Sequence, residues 1–496
     1  MIPYAAIFAT LVPSIAGIAL YGARRYLKRW AGWIACAAAL LSVVFTVSLA
    51  PDVLQSHHDG TGPLVFQYTW IEPIGINFGF LVDVVSLPIG LIVAIVSTLA
   101  CVFSVKYMEG GQNLPEYYAS LLLFMTGMIG VMFSVNLIQF YLFWELMLIP
   151  SYLLISLWGT SERRLTIGFK YFLFTHVGAL AMLLGILAIY AYTGTFNLLL
   201  LPAVAGAIPS SMVGMVLILM LVGFFVKMAV FPFHTWLPDA HSEAPTPISA
   251  MLSGIMVKAG AFGIARILLP IFGPAMGFTS DFLTILGIIT IAYGGLMALA
   301  QTDIKRLLAY STVSQLGYIV FGFGTVSMLG ITGGLLHMVN HAISKSLLFM
   351  AAGIIMHQTG VRDLRNMGGL MEKMPVTSVA CIIGAFSLIG IPPLNGFWSE
   401  WMIFGGGLAS GKVLITFLGV ASTMITAGYY LWFVWRVFFG AAPEGLSEVK
   451  DPFLLQLLPL LVLAAACILL GLLPGYVLAF IRPAAEFLFG FTGGSP

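Results

Sequence analysis

Charge is what this sequence lacks. Only 8% of its 496 residues are Asp, Glu, Lys or Arg, where a soluble domain carries about 25%. The 21 basic and 19 acidic side chains cannot clothe so long a chain in water. Apolar residues make up 60%, against a usual ~45–50%, so the bilayer must be the solvent for most of the surface. A net charge of +2 offers no electrostatic footprint for nucleic acid. Cysteine is equally scarce. Cys36, Cys101, Cys381 and Cys467 lie far apart in apolar runs, without the spacing of zinc or iron–sulfur sites or of a disulfide framework. No dinucleotide fingerprint occurs. The chain is therefore expected to hold no cofactor, no metal and no redox centre. No basic stretch precedes the first apolar run, which is long enough to span, so a cleaved signal is not expected.

What is present is a series of apolar runs of about 20 residues, the length a transmembrane helix needs. They fall near 4–22, 31–50, 78–103, 117–134, 137–158, 168–192, 210–232, 246–268, 281–300, 305–325, 329–355, 378–404, 413–439 and 453–473. This predicts an all-α polytopic membrane protein of fourteen transmembrane helices. Cytoplasmic loops are enriched in Lys and Arg, and alternate loops here hold Arg24, Arg25, Lys28, Arg29, Lys106, Arg163, Arg164, Lys170, Lys305, Arg306, Arg362, Arg365, Lys373, Arg436 and Lys450. The opposite loops keep only Arg266, Lys412 and Arg482. The bias places both termini on the outer side of the cell membrane and makes 51–77, free of Lys and Arg, an outer loop.

Three lysines remain, Lys227, Lys258 and Lys345, all inside predicted spans, together with Glu145 and Glu400. A charge at a helix centre costs about 2.5–3.5 kcal/mol on insertion scales, and packing alone asks for none of it. The bland reading is paired ions that fix helix register; the functional one is a proton relay. His337, His341 and Lys345 stand at i, i+4 and i+8 on one helical face, and histidine both gives and takes protons near neutral pH. A polar stripe binding neighbouring helices is the alternative there, and His176 reads more simply as a satisfied polar residue. Two spans are interrupted beside their charges: Lys227 precedes Pro232, and Gly390-Ile-Pro-Pro-Leu-Asn-Gly396 precedes Glu400. Interrupted membrane helices point to ion sites in transporters. Asp83 reads as an interfacial cap, with ion access as the second reading. His234, Asp239, His241 and Glu243 are candidate proton-uptake groups at the inner mouth, or simply solvated.

The stretch Val226-Lys-Met-Ala-Val-Phe-Pro-Phe-His-Thr-Trp-Leu-Pro-Asp-Ala-His241, followed by Glu243-Ala-Pro-Thr246, Lys258 in Gly-Ile-Met-Val-Lys-Ala-Gly, and Lys305-Arg-Leu-Leu-Ala-Tyr-Ser-Thr-Val-Ser-Gln315 resembles the antiporter-like membrane subunits of respiratory complex I. The resemblance covers nearly the whole chain. It implies two inverted five-helix repeats, with discontinuous helices 7 and 12. The implied division is 1–110 (helices 1–3), 111–268 (helices 4–8), 269–440 (helices 9–13) and 441–496 (helix 14 and tail). It further implies Glu145 and Lys227 as a coupled pair, Lys258 as the bridge, and the helix-11 histidines, Lys345 and Glu400 as the second half of the relay. Glutamate at position 400 is most similar to the chain-M type, and the surroundings of His337–Lys345 and Glu400 resemble archaeal deazaflavin dehydrogenases and membrane-bound hydrogenases. The expected function is outward proton translocation driven by electron transfer in other subunits, from an NADH, deazaflavin or ferredoxin donor. The expected partners are other membrane subunits, lipid and protons. The second reading is a subunit of a multi-subunit Na⁺/H⁺ antiporter, a pure transporter without an enzyme partner in which the same charges would serve, with Na⁺ as the other ion.

Overall fold

The structure, a computed structural model, describes residues 4–273, 276–443, 445–446 and 448–492. Thirteen helices among the described residues are long and apolar enough to cross a membrane. In chain order the elements are α1 (Ala5–Gly22), α2 (Ala31–Ser48), a short α3 (Ala50–His58), a hairpin of β1 (Leu64–Ile71) and β2 (Ile76–Val82), α4 (Ser86–Tyr107), α5 (Leu114–Phe133), α6 (Leu137–Trp158), α7 (Arg164–Thr193) and α8 (Ser210–Met228). The short α9 (Leu237–Glu243) leads into α10 (Thr246–Phe272). Then follow α11 (Met276–Leu299), α12 (Ile304–Gly324), α13 (Met328–Thr359), α14 (Pro375–Ile389), α15 (Asn395–Ala409), α16 (Val413–Phe438), α17 (Leu454–Leu472) and α18 (Pro474–Gly490).

Two departures from an unbroken series of helices have local causes. The run expected at 378–404 is two short helices, α14 and α15, because Gly390 turns the chain at φ +79° and Pro392-Pro393 removes the donors a continuous helix would need. Residues 51–77, expected as a loop, fold instead. Leu-Val-Phe-Gln-Tyr-Thr-Trp-Ile is rich in strand formers, and Gly75 at φ +66° closes the turn into β2, which pairs antiparallel with β1. The break beside Lys227 lies where the sequence places it. α8 ends at Met228, and residues 229–236 cross to α9 without regular helix.

The helices are sorted by what surrounds them. The apolar stretches of α10, α12 and α13 are enclosed by protein throughout, whereas α1, α2, α7 and α16 keep most of theirs outward. Small residues bring the central backbones together: a Cβ on Gly294 of α11 would stand 2.4 Å from the Ser314 nitrogen of α12. The polar side chains therefore lie in a protein-lined interior, where polar partners replace water.

Two basic residues assigned to loops by the charge pattern are buried instead. Arg266, 7% exposed, lies in a π-helical turn (Ile264–Leu268) near the end of α10 and pairs with Asp83 at 2.5 Å. Asp83 also accepts from the Val85 and Ser86 nitrogens at 3.0 and 2.9 Å, so its capping role is joined by an ion pair that the sequence reading missed. Lys305, 2% exposed, sits at the start of α12 and donates to the Ala244 carbonyl at 2.6 Å.

Candidate functional site

The interior polar groups form one well-connected stretch and one open one. In the connected stretch, a π-helical turn at Leu252–Met256 precedes Lys258 on α10; such turns recur at functional sites. Lys258 Nζ donates to the Ser253 carbonyl at 2.6 Å and to His341 Nδ1 at 2.5 Å. With Lys258 donating as an ammonium, Nδ1 accepts and the His341 proton sits on Nε2, which has no hydrogen-bond partner. The His341 ring lies 5.9 Å from that of His337. The face of α13 expected from the i, i+4, i+8 spacing is real, and it confronts α12. His337 Nε2 meets Gln315 Oε1 at 2.9 Å, and Lys345 Nζ donates to the Leu308 carbonyl at 3.0 Å and to Ser311 Oγ.

His337 is the junction to α15. Gln315 uses its amide nitrogen on the Leu388 carbonyl at 3.1 Å, so its oxygen faces His337 and Nε2 carries a proton. Nδ1 lies 3.0 Å from Ser399 Oγ, which is also 2.9 Å from the Gly396 carbonyl. The Ser399 hydroxyl has one proton for these two acceptors. Donated to His337, it leaves a neutral imidazole; turned to Gly396, it requires His337 to carry a second proton. The geometry thus accommodates both protonation states with one hydroxyl rotation. Glu400 follows Ser399, 6% exposed, with Oε1 unpartnered. Its Oε2 lies against Gly390, where a Cβ would stand at 2.6 Å. Asn340 and Asn395 bind each other across the break, Asn340 Nδ2 to the Asn395 carbonyl at 2.8 Å and Asn395 Nδ2 to Asn340 Oδ1 at 3.1 Å.

The open stretch holds Glu145 and Lys227. They form no ion pair within 4.0 Å among the described residues. Glu145 Oε2 meets His176 Nδ1 at 3.1 Å instead, so the histidine read as bland is the carboxylate's partner. Lys227, 1% exposed, has no hydrogen-bond partner and lies 5.2 Å from the Trp144 ring centroid, a cation–π distance. Glu145 Oε1, Trp144 Nε1 and Lys227 Nζ are all buried without partners.

The four residues expected as proton-uptake groups are engaged or enclosed. Asp239 bridges Lys170 at 2.7 Å and Arg306 at 2.9 Å. Burial alone would raise its carboxyl, but the two cations outweigh it and hold it below the ordinary value. Glu243 accepts from the Ser161 nitrogen and hydroxyl, both at 2.6 Å. His234 Nε2 lies 3.2 Å from the Tyr293 hydroxyl. His241 is fully buried against Phe349, ring centroids 5.1 Å apart, with both ring nitrogens unpartnered. No group of three His, Cys, Asp or Glu able to hold a metal occurs among the described residues.

Sequence reading missed Gln315 and Ser399 as partners of His337, and Ser311 as a partner of Lys345. Gln315 closes the Lys305–Gln315 motif and Ser399 adjoins Glu400, so position was the available signal.

Residues 134–426 match the transmembrane family described as NADH:quinone oxidoreductase/Mrp antiporter, and residues 70–118 match NADH-ubiquinone oxidoreductase (complex I), chain 5 N-terminus. The chain is 33% identical to F(420)H(2) dehydrogenase subunit M of Methanosarcina mazei over 93% of this chain and 94% of that one. It is 36% identical to a Na(+)/H(+) antiporter subunit of Alkalihalophilus pseudofirmus over 97% of this chain, which spans 62% of that longer protein. Among solved structures, a chain of respiratory complex I from Thermus thermophilus superposes with TM-score 0.88 at 26% identity, covering 99% of this chain and 100% of that one. A chain of the Mrp complex from Dietzia sp. shares the fold with TM-score 0.88 at 24% identity, covering 98% and 97%. With the match spanning the helices that carry Glu145, Lys227, Lys258, His337, His341, Lys345 and Glu400, the chain belongs to the NADH:quinone oxidoreductase/Mrp antiporter family, as an antiporter-like membrane subunit of the complex I type.

Proposed function

We propose that this chain translocates protons outward as a non-redox membrane subunit of a complex-I-type oxidoreductase, driven by electron transfer in neighbouring subunits. The observation that carries the reading is the buried Lys258–His341–His337–Ser399 line ending beside Glu400. A structural role would not need a lysine donating to a histidine in so enclosed a place, since apolar residues would fill it at lower cost. In this reading Lys227 receives a proton from the inner side past Trp144, whose ring it faces and whose Nε1 is unpartnered. Lys258 and His341 exchange it, the Ser399 rotation lets His337 hold it as a second ring proton, and Glu400, the next residue along α15, is the terminal acceptor. Glu145, turned to His176, would swing between that histidine and Lys227, raising the lysine's affinity for its proton only when near.

The same reading takes α14 and α15 together as a fourteenth crossing, so that helices 4–8 and 9–13 form inverted repeats about Lys258 and the charge bias sets both termini outside the plasma membrane. The likeness to subunit M of an F(420)H(2) dehydrogenase supports a deazaflavin-type donor over NADH or ferredoxin. The test is Lys227→Ala in the intact, reconstituted complex. Electron transfer should persist while protons moved per electron pair fall; an unchanged ratio would sink the proposal.

A second reading is a Na⁺/H⁺ antiporter component without an oxidoreductase. The 36% identity to the Alkalihalophilus pseudofirmus antiporter protein supports it. Mass spectrometry of co-purifying subunits separates the two: quinone-site and iron–sulfur subunits for the first, small antiporter subunits for the second.

A further inference from the structure

We infer that Asp239 is a positioning residue for proton transfer: by pairing with Arg306 it ties the segment that carries Lys227 to α12, the helix that holds the second-half stations in place. The inference rests on the relay reading above and adds a coupling element to it.

α12 reaches three stations of the connected stretch, two directly and one through a single residue. Ser311 and the Leu308 carbonyl accept from Lys345. Thr312 Oγ1 is 2.7 Å from Ser253 Oγ, the residue whose carbonyl accepts from Lys258. Gln315 Oε1 accepts from His337. Lys345, Lys258 and His337 are therefore each held, directly or through one residue, by a single helix at positions 308, 311, 312 and 315. A packed helix moves as a unit, because close-packed interiors shift between discrete arrangements rather than deforming continuously. Any displacement of α12 is felt at all three stations.

The other end of the tie begins at Lys227. Trp236 Nε1 donates to the Val226 carbonyl, beside Lys227, at 2.8 Å. Trp236 immediately precedes α9, and Asp239 lies three residues further on. Asp239 reaches both ways, to Lys170 of α7 at 2.7 Å and to Arg306 of α12 at 2.9 Å. Around it the attachment to α12 is reinforced. Lys305 donates to the Ala244 carbonyl, and Arg362 bridges Ser242 Oγ at 2.8 Å and Asp303, the cap of α12, at 3.0 Å. Asp239 alone in this set grips both the α7 side and the α12 side through one carboxylate. With two cations on it, the carboxylate serves as a fixed link between the two halves rather than as a carrier of protons.

The link is partly open to water, its side chains 27–46% exposed, so it contributes little to folding and can be altered without losing the protein. The experiment uses the assembled complex in proteoliposomes, reading electron transfer and protons moved per electron pair for Asp239→Asn, Asp239→Glu, Arg306→Gln and Lys227→Ala. Asp239→Asn and Arg306→Gln should assemble and transfer electrons, yet lose the share of the proton ratio that Lys227→Ala removes. Asp239→Glu should restore it. Lys170→Ala, which leaves the Arg306 pair intact, should keep most of it. A normal ratio in either Asp239→Asn or Arg306→Gln, with Lys227→Ala defective, overturns the coupling role and leaves the relay standing. A normal ratio in Lys227→Ala removes the relay reading and this inference with it. Should Asp239→Asn fail to assemble, Arg306→Gln tests the same link from its opposite side, with the same two outcomes.

Discussion

Breaking the Asp83–Arg266 pair should be among the most destabilising polar changes in this protein, and the two halves of the pair should differ. The side chains are only 11% and 6% exposed and edge a cavity beside Pro270 and Phe487, so water can replace a lost partner only from that side. Removing one member of a buried pair costs about 3–5 kcal/mol, while replacing both by apolar groups is often neutral. Asp83→Asn leaves the guanidinium without its one charged partner among the described residues and should fall near the top of that range. Arg266→Met leaves a carboxylate still held by the Val85 and Ser86 nitrogens, so it should cost less, about 2–3 kcal/mol, the scale of a lost hydrogen bond to a charged group. Asp83→Asn combined with Arg266→Met should recover most of the larger loss. The assay is denaturant unfolding of the purified protein in mixed micelles for the wild type, both single variants and the double, closed as a thermodynamic cycle. Single losses under about 1 kcal/mol, or a coupling energy near zero, would refute the reasoning. Such a result would return Arg266 to the surface role its sequence position suggested.

Two further outcomes follow from local geometry. Gly390→Ala forces a Cβ onto a residue at φ +79° and to within 2.6 Å of Glu400 Oε2. Strain of about 1–2 kcal/mol and a displaced carboxylate should lower protons moved per electron pair well beyond any loss of assembled protein; an unchanged ratio would mean that the placement of Glu400 does not depend on that glycine. The second outcome concerns pH. Burial opposes the Asp239 carboxylate, but Lys170 and Arg306 hold its carboxyl below the ordinary value of 3.8. A depressed carboxyl contributes stability above the unfolded value, and that contribution is lost as pH falls through the folded one. Hydrogen exchange of residues 235–244 should be flat between pH 7 and 5 once intrinsic rates are removed. It should rise only below 3.8; loosening already at pH 5 would contradict the pairing.

Much of this protein is legible without coordinates because the bilayer imposes a length and a composition on every crossing. The apolar runs, the interruption after Lys227 and the one before Glu400 are all local properties of the chain, as is the common face of His337, His341 and Lys345, which needs only 3.6 residues per turn. The hairpin at 64–82 was legible in principle, since its strand composition is plain, but a search for membrane spans passes over it. Contacts between helices are another matter. Glu145 lies one residue from Trp144, against which Lys227 packs, yet its carboxylate points to His176. That choice depends on how α6, α7 and α8 are rotated against one another. Arg266 falls at the edge of an apolar run, where the sequence does not distinguish a solvated arginine from one turned inward to Asp83, 183 residues away.

By itself, then, the sequence determines that this is a membrane protein with ionisable residues inside its spans, because apolar runs are carried by consecutive residues; the complex I antiporter-like kind comes from the resemblance of the Val226–His241 and Lys305–Gln315 stretches. The tertiary structure decides which of those residues meet: Lys258 with His341, His337 with Gln315 and Ser399, Asp239 with both Lys170 and Arg306. The physical reason is that a buried polar group must find its partner across a helix interface, and that interface is set by the packing of all the helices together.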